Sequence, residues 1–281
     1  AGALTTTYTA SQGLMLMIPP MFRIAGEFLP GVFHVSARTV AQNMWSIFGD
    51  QSDVMTCRST GFAMLASACP QEAMDLGAVA HLAAIKARHP FMHFFDGFRT
   101  SHELQKIDAL DYEDLRPLVD MDQLNAFRKH SLNPEHPHVR GTTASSETFF
   151  QGREAGNGHY DAIPDIVQHY MDEINKLTGR NYKLFDYYGA PDAEEVVVVM
   201  GSGAETARET VDYLMSQGRK VGMISVHLFR PFSAKHFLSV LPETVRKVAV
   251  LDRTKESGSV GEPLYLDVKA VLTGSGRSFD A

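Results

Sequence analysis

Hydrophobic positions along the chain switch between two periods. The short, almost unbroken apolar runs Val32-Phe33-His34-Val35 and Phe91-Met92-His93-Phe94-Phe95 read as strands. Between them, Pro70 opens a stretch in which Met74, Val79, Leu82 and Ile85 suit a helix, since Pro is well placed in a first helical turn. A second helix is predicted where Ile163, Ile166, Val167, Tyr170, Met171, Ile174 and Leu177 recur in steps of three and four. Pro164 sits at its start and Gly179 just past its end. From about Asp108 to Tyr160 the pattern weakens. Asn133-Pro134-Glu135-His136-Pro137-His138 excludes helix, because each proline removes a donor and biases its predecessor to extended geometry. This segment reads as a long surface excursion of the functional or interface-forming kind.

Residues 181–192 read as a linker, and the pattern beyond them is the clearest of all. Glu195 to Met200, with four consecutive valines, has the continuous apolar character of a buried parallel strand. Gly201-Ser202-Gly203 then turns into a helix with Ala204, Ala207, Val211 and Leu214 inward. Lys220–Val226 is the next strand, Ser233–Leu241 a helix and Val245–Leu251 a third strand. The chain is therefore expected to be α/β, with one domain over residues 1–180 and a βαβαβ domain over 193–281.

Composition agrees with that division. The 281 residues correspond to roughly two domains at ~150 residues each, and 44% hydrophobic content supports a real core rather than a disulfide scaffold or a disordered chain. A net charge of −7 without a basic stripe argues against a nucleic-acid partner. The apolar run Leu14–Ile18 is stopped by Pro19-Pro20, far short of the ~18 residues a membrane span needs. Cys57 and Cys69 form no C-x-x-C pair, so they build no zinc or iron–sulfur cradle. Their sparseness, with no N-x-S/T acceptor, points to a reduced cytoplasmic setting. Beginning at Ala1-Gly2 without Met and ending soon after Arg277, the chain reads as part of something longer.

Several features invite chemical readings of unequal weight. Gly201-x-Gly203 follows a strand as a dinucleotide turn does, but it lacks the third glycine and reads better as a plain strand–helix turn. His136 and His138 flank a proline in a loop where backbone hydrogen bonding is the expected role, not metal binding. Asp96, His102 and Glu103 resemble an acid–base set, with interface or loop bracing as the default. Cys57 and Cys69 read as small buried residues.

Longer strings carry a more specific message. Val197–Gly203, Lys220–Val226 and Leu228-Phe229-Arg230-Pro231-Phe232 resemble the C-terminal domain of transketolase-like thiamine enzymes. Gly2–Leu14, Gly31–Arg38, Phe94–Glu103, Asn133–Gly141 and Leu251–Glu256, in that order, resemble the pyruvate:ferredoxin (flavodoxin) oxidoreductases. The likeness runs over nearly the whole chain but over only about a quarter of that family's long polypeptide. It implies a thiamine-diphosphate-binding-fold domain of the pyrimidine-side type, lacking its N-terminal part, followed by the transketolase-C-like domain.

The same resemblance implies oxidative decarboxylation of pyruvate with coenzyme A to acetyl-CoA and CO2. Thiamine diphosphate serves as electron sink there, and single electrons pass through Fe4S4 clusters to ferredoxin or flavodoxin. Mg2+, a homodimer and the remaining domains of the polypeptide belong to the same expectation, and the chain alone is expected to be inactive. Arg38 matches the family's pyruvate-binding arginine, although residue chemistry by itself would pair it with a nearby acid. Ile47 is a candidate for the apolar wall of the substrate pocket or for core packing. The cofactor-activating glutamate and a substrate-contacting threonine have no counterpart in this sequence. The competing readings are a related enzyme for another acid (2-oxobutyrate, oxaloacetate), a non-catalytic assembly module, and a nicotinamide-binding domain built on Gly201–Gly203.

Overall fold

The computed structural model describes residues 2–279. The first half builds β1 (Thr6–Thr9), α1 (Gln12–Met15), α2 (Ile18–Gly26), β2 (Gly31–Ala37), α3 (Ser52–Thr56), β3 (Ala63–Ser67), α4 (Pro70–Ala87) and β4 (Pro90–Asp96). β1, β2, β4 and β3 lie side by side in parallel, in register Val32↔Phe91 and Leu65↔His93. All five residues of β3 are buried, as expected of a strand covered on both faces. Ala63-Met64-Leu65-Ala66-Ser67 lacks β-branched residues, so its sequence gives no strand signal.

α4 begins at Pro70 as predicted and ends at Arg88, whose left-handed φ of 49° closes the last turn. It packs along α8 (Asn157–Thr178), which ends on Gly179 at φ 73°. α8 starts six residues before Ile163, so Pro164 lies inside the helix and not in its first turn as the sequence pattern implied. The excursion at 108–160 carries α5 (Tyr112–Leu115), a single 3-10 turn (Arg116–Leu118), α6 (Met121–Lys129) and α7 (Ser146–Ala155). The side chains of Asp111, Asp120 and Ser145 cap the three α-helices. Asn133–His138 is non-helical, as its prolines require.

Residues 181–192 are not merely a connection, because Phe185–Gly189 form β5, antiparallel to β7 (Val221–Val226). This second sheet runs β5-β7-β6-β9, with β6 (Glu195–Val199) and β9 (Lys247–Leu251) parallel to β7. α9 (Gly203–Ser216), α10 (Ala234–Val240, capped by Ser233) and α11 (Pro263–Gly274) complete the unit. β8 (Leu228–Arg230) leaves it and pairs antiparallel with β3, extending the first sheet. The α/β class expected from the sequence holds, with an antiparallel edge added to each sheet. Among the described residues, no helix is long and apolar enough to cross a membrane.

Candidate substrate site at the strand ends

In parallel sheets the carboxyl ends of the strands open onto the crevice where ligands bind. Three such ends converge here: Ser11 after β1, Arg38 after β2 and Asp96-Gly97 closing β4. The Arg38 side chain passes over Gly97. A β-carbon there would fall 2.5 Å from Arg38 Cγ and 2.9 Å from its Nε, so only glycine leaves the lane open. Arg38 Nε is buried without a hydrogen-bond partner, and the guanidinium forms no ion pair with any described residue. A half-buried cation without a carboxylate is costly, and it is a ready acceptor site for an anion of matching shape.

The backbone of Arg38 is held firmly. Asp53, fully buried in the first turn of α3, accepts the Ser11 and Arg38 N–H groups on Oδ2 at 2.8 and 3.0 Å, and that of Val54 on Oδ1 at 2.7 Å. Burial outweighs these three donors and raises its carboxyl to about 6. A bridge between Arg38 and Gly49 adds a second tether.

Asp96 plays a different part. Fully buried, it accepts Gln51 Nε2 at 3.1 Å, the Ser202 N–H at 2.9 Å and the Ser202 hydroxyl at 2.6 Å, and it pairs with the Arg253 guanidinium. The turn after β6 and the loop after β9 are thereby docked onto the end of β4. Gly201 adopts φ 76°, and a β-carbon there would lie 2.8 Å from Gln51 Nε2 and 2.9 Å from Asp96. Gly201-x-Gly203 is thus a strand–helix turn whose glycine permits this approach. The adjoining Asp252 accepts the N–H groups of Leu264 and Tyr265 at 2.9 Å each, at the start of α11.

The remaining sequence candidates are scattered. Exposed His102 stacks on Phe98 and meets Ser101 Oγ at 2.8 Å; Glu103 is exposed, and neither reaches Asp96. His136 and His138 are exposed, and no cluster able to hold a metal occurs among the described residues. Burial raises Cys57 to about 12 and Cys69 to about 11, so both remain protonated thiols. Ile47 is half-buried in the loop clipped by Thr39 Oγ1 and the Ser46 backbone. The neighbouring cavity of about 560 Å³, lined by Thr39, Asn43, Asp50 and Lys255 among others, includes neither Ile47 nor Arg38.

Two groups of functional appearance were not legible as such. His34, His93 and His81 form a chain of imidazoles with N···N contacts of 2.9 and 3.1 Å, ending on Ser67 Oγ at 2.8 Å. The His34 and His93 rings lie beside Gly77 of α4. Their signal is a histidine standing inside each of two apolar runs. His227, at the crossing between the sheets, lies 3.4 Å from both Glu72 and Asp186. Burial alone pulls its pKa down, but the Glu72 carboxylate, aided by Asp186, pushes it up to about 9.

The family model described as "Pyruvate flavodoxin/ferredoxin oxidoreductase, thiamine diP-bdg" matches residues 1–172, and "Pyruvate:ferredoxin oxidoreductase core domain II" matches residues 193–279. The chain belongs to the pyruvate flavodoxin/ferredoxin oxidoreductase family. It is 63% identical over 278 residues to the pyruvate:ferredoxin oxidoreductase of Moorella thermoacetica, covering 99% of this chain and 24% of that protein. It is 62% identical over 269 residues to the pyruvate-flavodoxin oxidoreductase of Klebsiella pneumoniae, covering 96% and 23%. The chain thus spans about a quarter of the length of these oxidoreductases. Among solved structures, 2-oxoglutarate:ferredoxin oxidoreductase from Magnetococcus marinus superposes with a TM-score of 0.57 at 14% identity, over 95% of this chain and 52% of that one, which is a likeness of fold.

Proposed function

We propose that this chain supplies the substrate-gripping part of a thiamine-diphosphate-dependent pyruvate oxidoreductase, with Arg38 binding the carboxylate of pyruvate. The observation that carries the reading is the unpartnered guanidinium at the end of β2, threaded over Gly97 and held by its backbone. A planar guanidinium offers a carboxylate two parallel charge-assisted bonds and so fixes the orientation of the adjoining carbonyl. Thiamine diphosphate, when bound, supplies the electron sink for loss of CO2.

Asp53 and Asp96, the two buried carboxylates at this edge, are turned onto internal donors, so the acid that activates the cofactor comes from elsewhere in the assembled enzyme. Two separated, protonated cysteines do not fit Fe4S4 ligation. The clusters, Mg2+, the coenzyme A site and the docking of ferredoxin or flavodoxin are assigned to the rest of a longer, homodimeric polypeptide, a reading supported by the quarter of its relatives' length that the chain spans. A cytoplasmic location accords with two free thiols.

Arg38→Ala in the whole enzyme tests the assignment. Loss of a hydrogen bond to a charged group costs about 1.5–3 kcal/mol, so the pyruvate KM should rise by roughly ten- to a hundredfold while thiamine diphosphate affinity is kept. Unchanged pyruvate kinetics would remove Arg38 from the site.

A further inference from the structure

We propose that Asp53 is the positioning residue for Arg38: its carboxylate fixes the backbone from which the substrate-gripping guanidinium projects, without pairing with that guanidinium. The inference rests on the role given to Arg38 above. Asp53 is fully buried and lies in a different element from Arg38, fifteen residues further along the chain. One of its oxygens accepts two N–H groups, from the turn after β1 and from the last residue leaving β2, and the other accepts from its own helix. Three segments are thereby drawn to one point. Ser11 sits at φ 50°, a left-handed conformation that a non-glycine residue holds only when its surroundings impose it, and its hydroxyl reaches the Thr39 carbonyl.

The choice of a carboxylate here has a chemical logic. Asparagine presents one acceptor and one NH2 donor, so whichever way it is turned an N–H group faces another donor. An arginine as the acceptor's partner would be different again: a salt bridge to Asp53 would neutralise Arg38 and remove it from competition for substrate. By binding the backbone N–H, Asp53 orients Arg38 and leaves its charge unspent.

The test is a double-mutant cycle in the whole enzyme. Asp53→Asn should raise the pyruvate KM tenfold or more, with thiamine diphosphate affinity unchanged. In an Arg38→Ala background the same substitution should change KM less than twofold, because its effect passes through Arg38. Additive effects, or an unchanged KM in Asp53→Asn, overturn the positioning role while leaving that of Arg38 intact. An Arg38→Ala enzyme with normal KM overturns both. Should Asp53→Asn fail to fold, the wild-type enzyme answers instead. The titratable groups near the carboxylate are Asp50 and Cys57 from the segment of α3, whereas β2 and the Ser11 turn present backbone N–H groups. As pH falls through about 6, Asp53 takes up a proton and gives up part of its acceptor capacity. The pyruvate KM should therefore climb, and a level KM between pH 5 and 8 would overturn the role.

Discussion

At the scale of single residues, the site is defined as much by missing side chains as by present ones. Gly97 keeps a lane clear for Arg38, and Gly201 lets the second sheet's turn close onto Asp96. In Gly97→Ala, the added methyl would sit 2.5 Å from Arg38 Cγ and 2.7 Å from the Ala37 carbonyl oxygen, too close on both sides. Arg38 has to give way, since the backbone oxygen is fixed in the sheet. We expect a severalfold rise in the pyruvate KM of the whole enzyme and a stability loss of about 1–3 kcal/mol, as for other overpacked sites. Steady-state kinetics alongside urea unfolding separates the two effects, and a variant with wild-type KM would show that the lane is wider than drawn. Arg38 stands out as a candidate in the sequence because it follows a strand inside a recognisable string. Asp53 does not, because its importance lies in two N–H groups from segments 15 and 42 residues away, and spacing carries no trace of such contacts.

Elements show the same division. Strands with β-branched or aromatic runs (β2, β4, β6, β7) and helices with a continuous apolar stripe (α4, α8, α9) were legible from periodicity alone. β3 was not, being built of Ala, Met, Leu and Ser, and β5 was hidden in Phe185-Asp186-Tyr187-Tyr188-Gly189, whose polar and glycine content resembles a connection. What makes β5 a strand is its partner. Tyr187 pairs with Ile224 and its ring lies over Gly222, the one β7 position without a side chain to obstruct it. A β-carbon at Gly222 would come within 2.8 Å of that ring, so Gly222→Ala should displace Tyr187 and loosen β5. The expected cost is about 1–3 kcal/mol, read as a lower urea midpoint. Faster amide exchange confined to 185–189 would locate the damage, and protection unchanged there would assign the strand's stability to other contacts.

At the scale of the whole molecule, the two sheets are joined rather than strung together, by β8 crossing into the first sheet and by donors from the second sheet converging on Asp96. Buried ionisable groups run through this assembly, and their signs give it a dome-shaped stability against pH. His34 and His89 are lowered to about 4 and His93 to about 3, in each case by burial first and then by a neighbouring imidazole. Unfolded, these rings titrate near 6.5. Below that pH the unfolded chain gains protons the folded one refuses, so their contribution is complete above about 6.5 and is lost as pH falls toward 4. Asp53, raised to about 6, acts oppositely, as do Asp75, Asp186, Glu205 and Asp252, which burial also raises, while burial-lowered His81 and His159 join the three imidazoles. Between about pH 6.5 and 8.5 His227 decides, and above that the burial-raised Cys57 and Cys69 thiols add to the loss. With its pKa raised to about 9, the stability His227 adds is complete below 6.5 and disappears as pH climbs through 9. The urea midpoint should accordingly peak near pH 6.5 and fall on both sides. His227→Gln should lower the peak and flatten the alkaline limb while sparing the acid one. A fall between pH 6.5 and 8.5 that persists in that variant would mean that His227 is neutral between Glu72 and Asp186, and that the junction is held by hydrogen bonds rather than by charge.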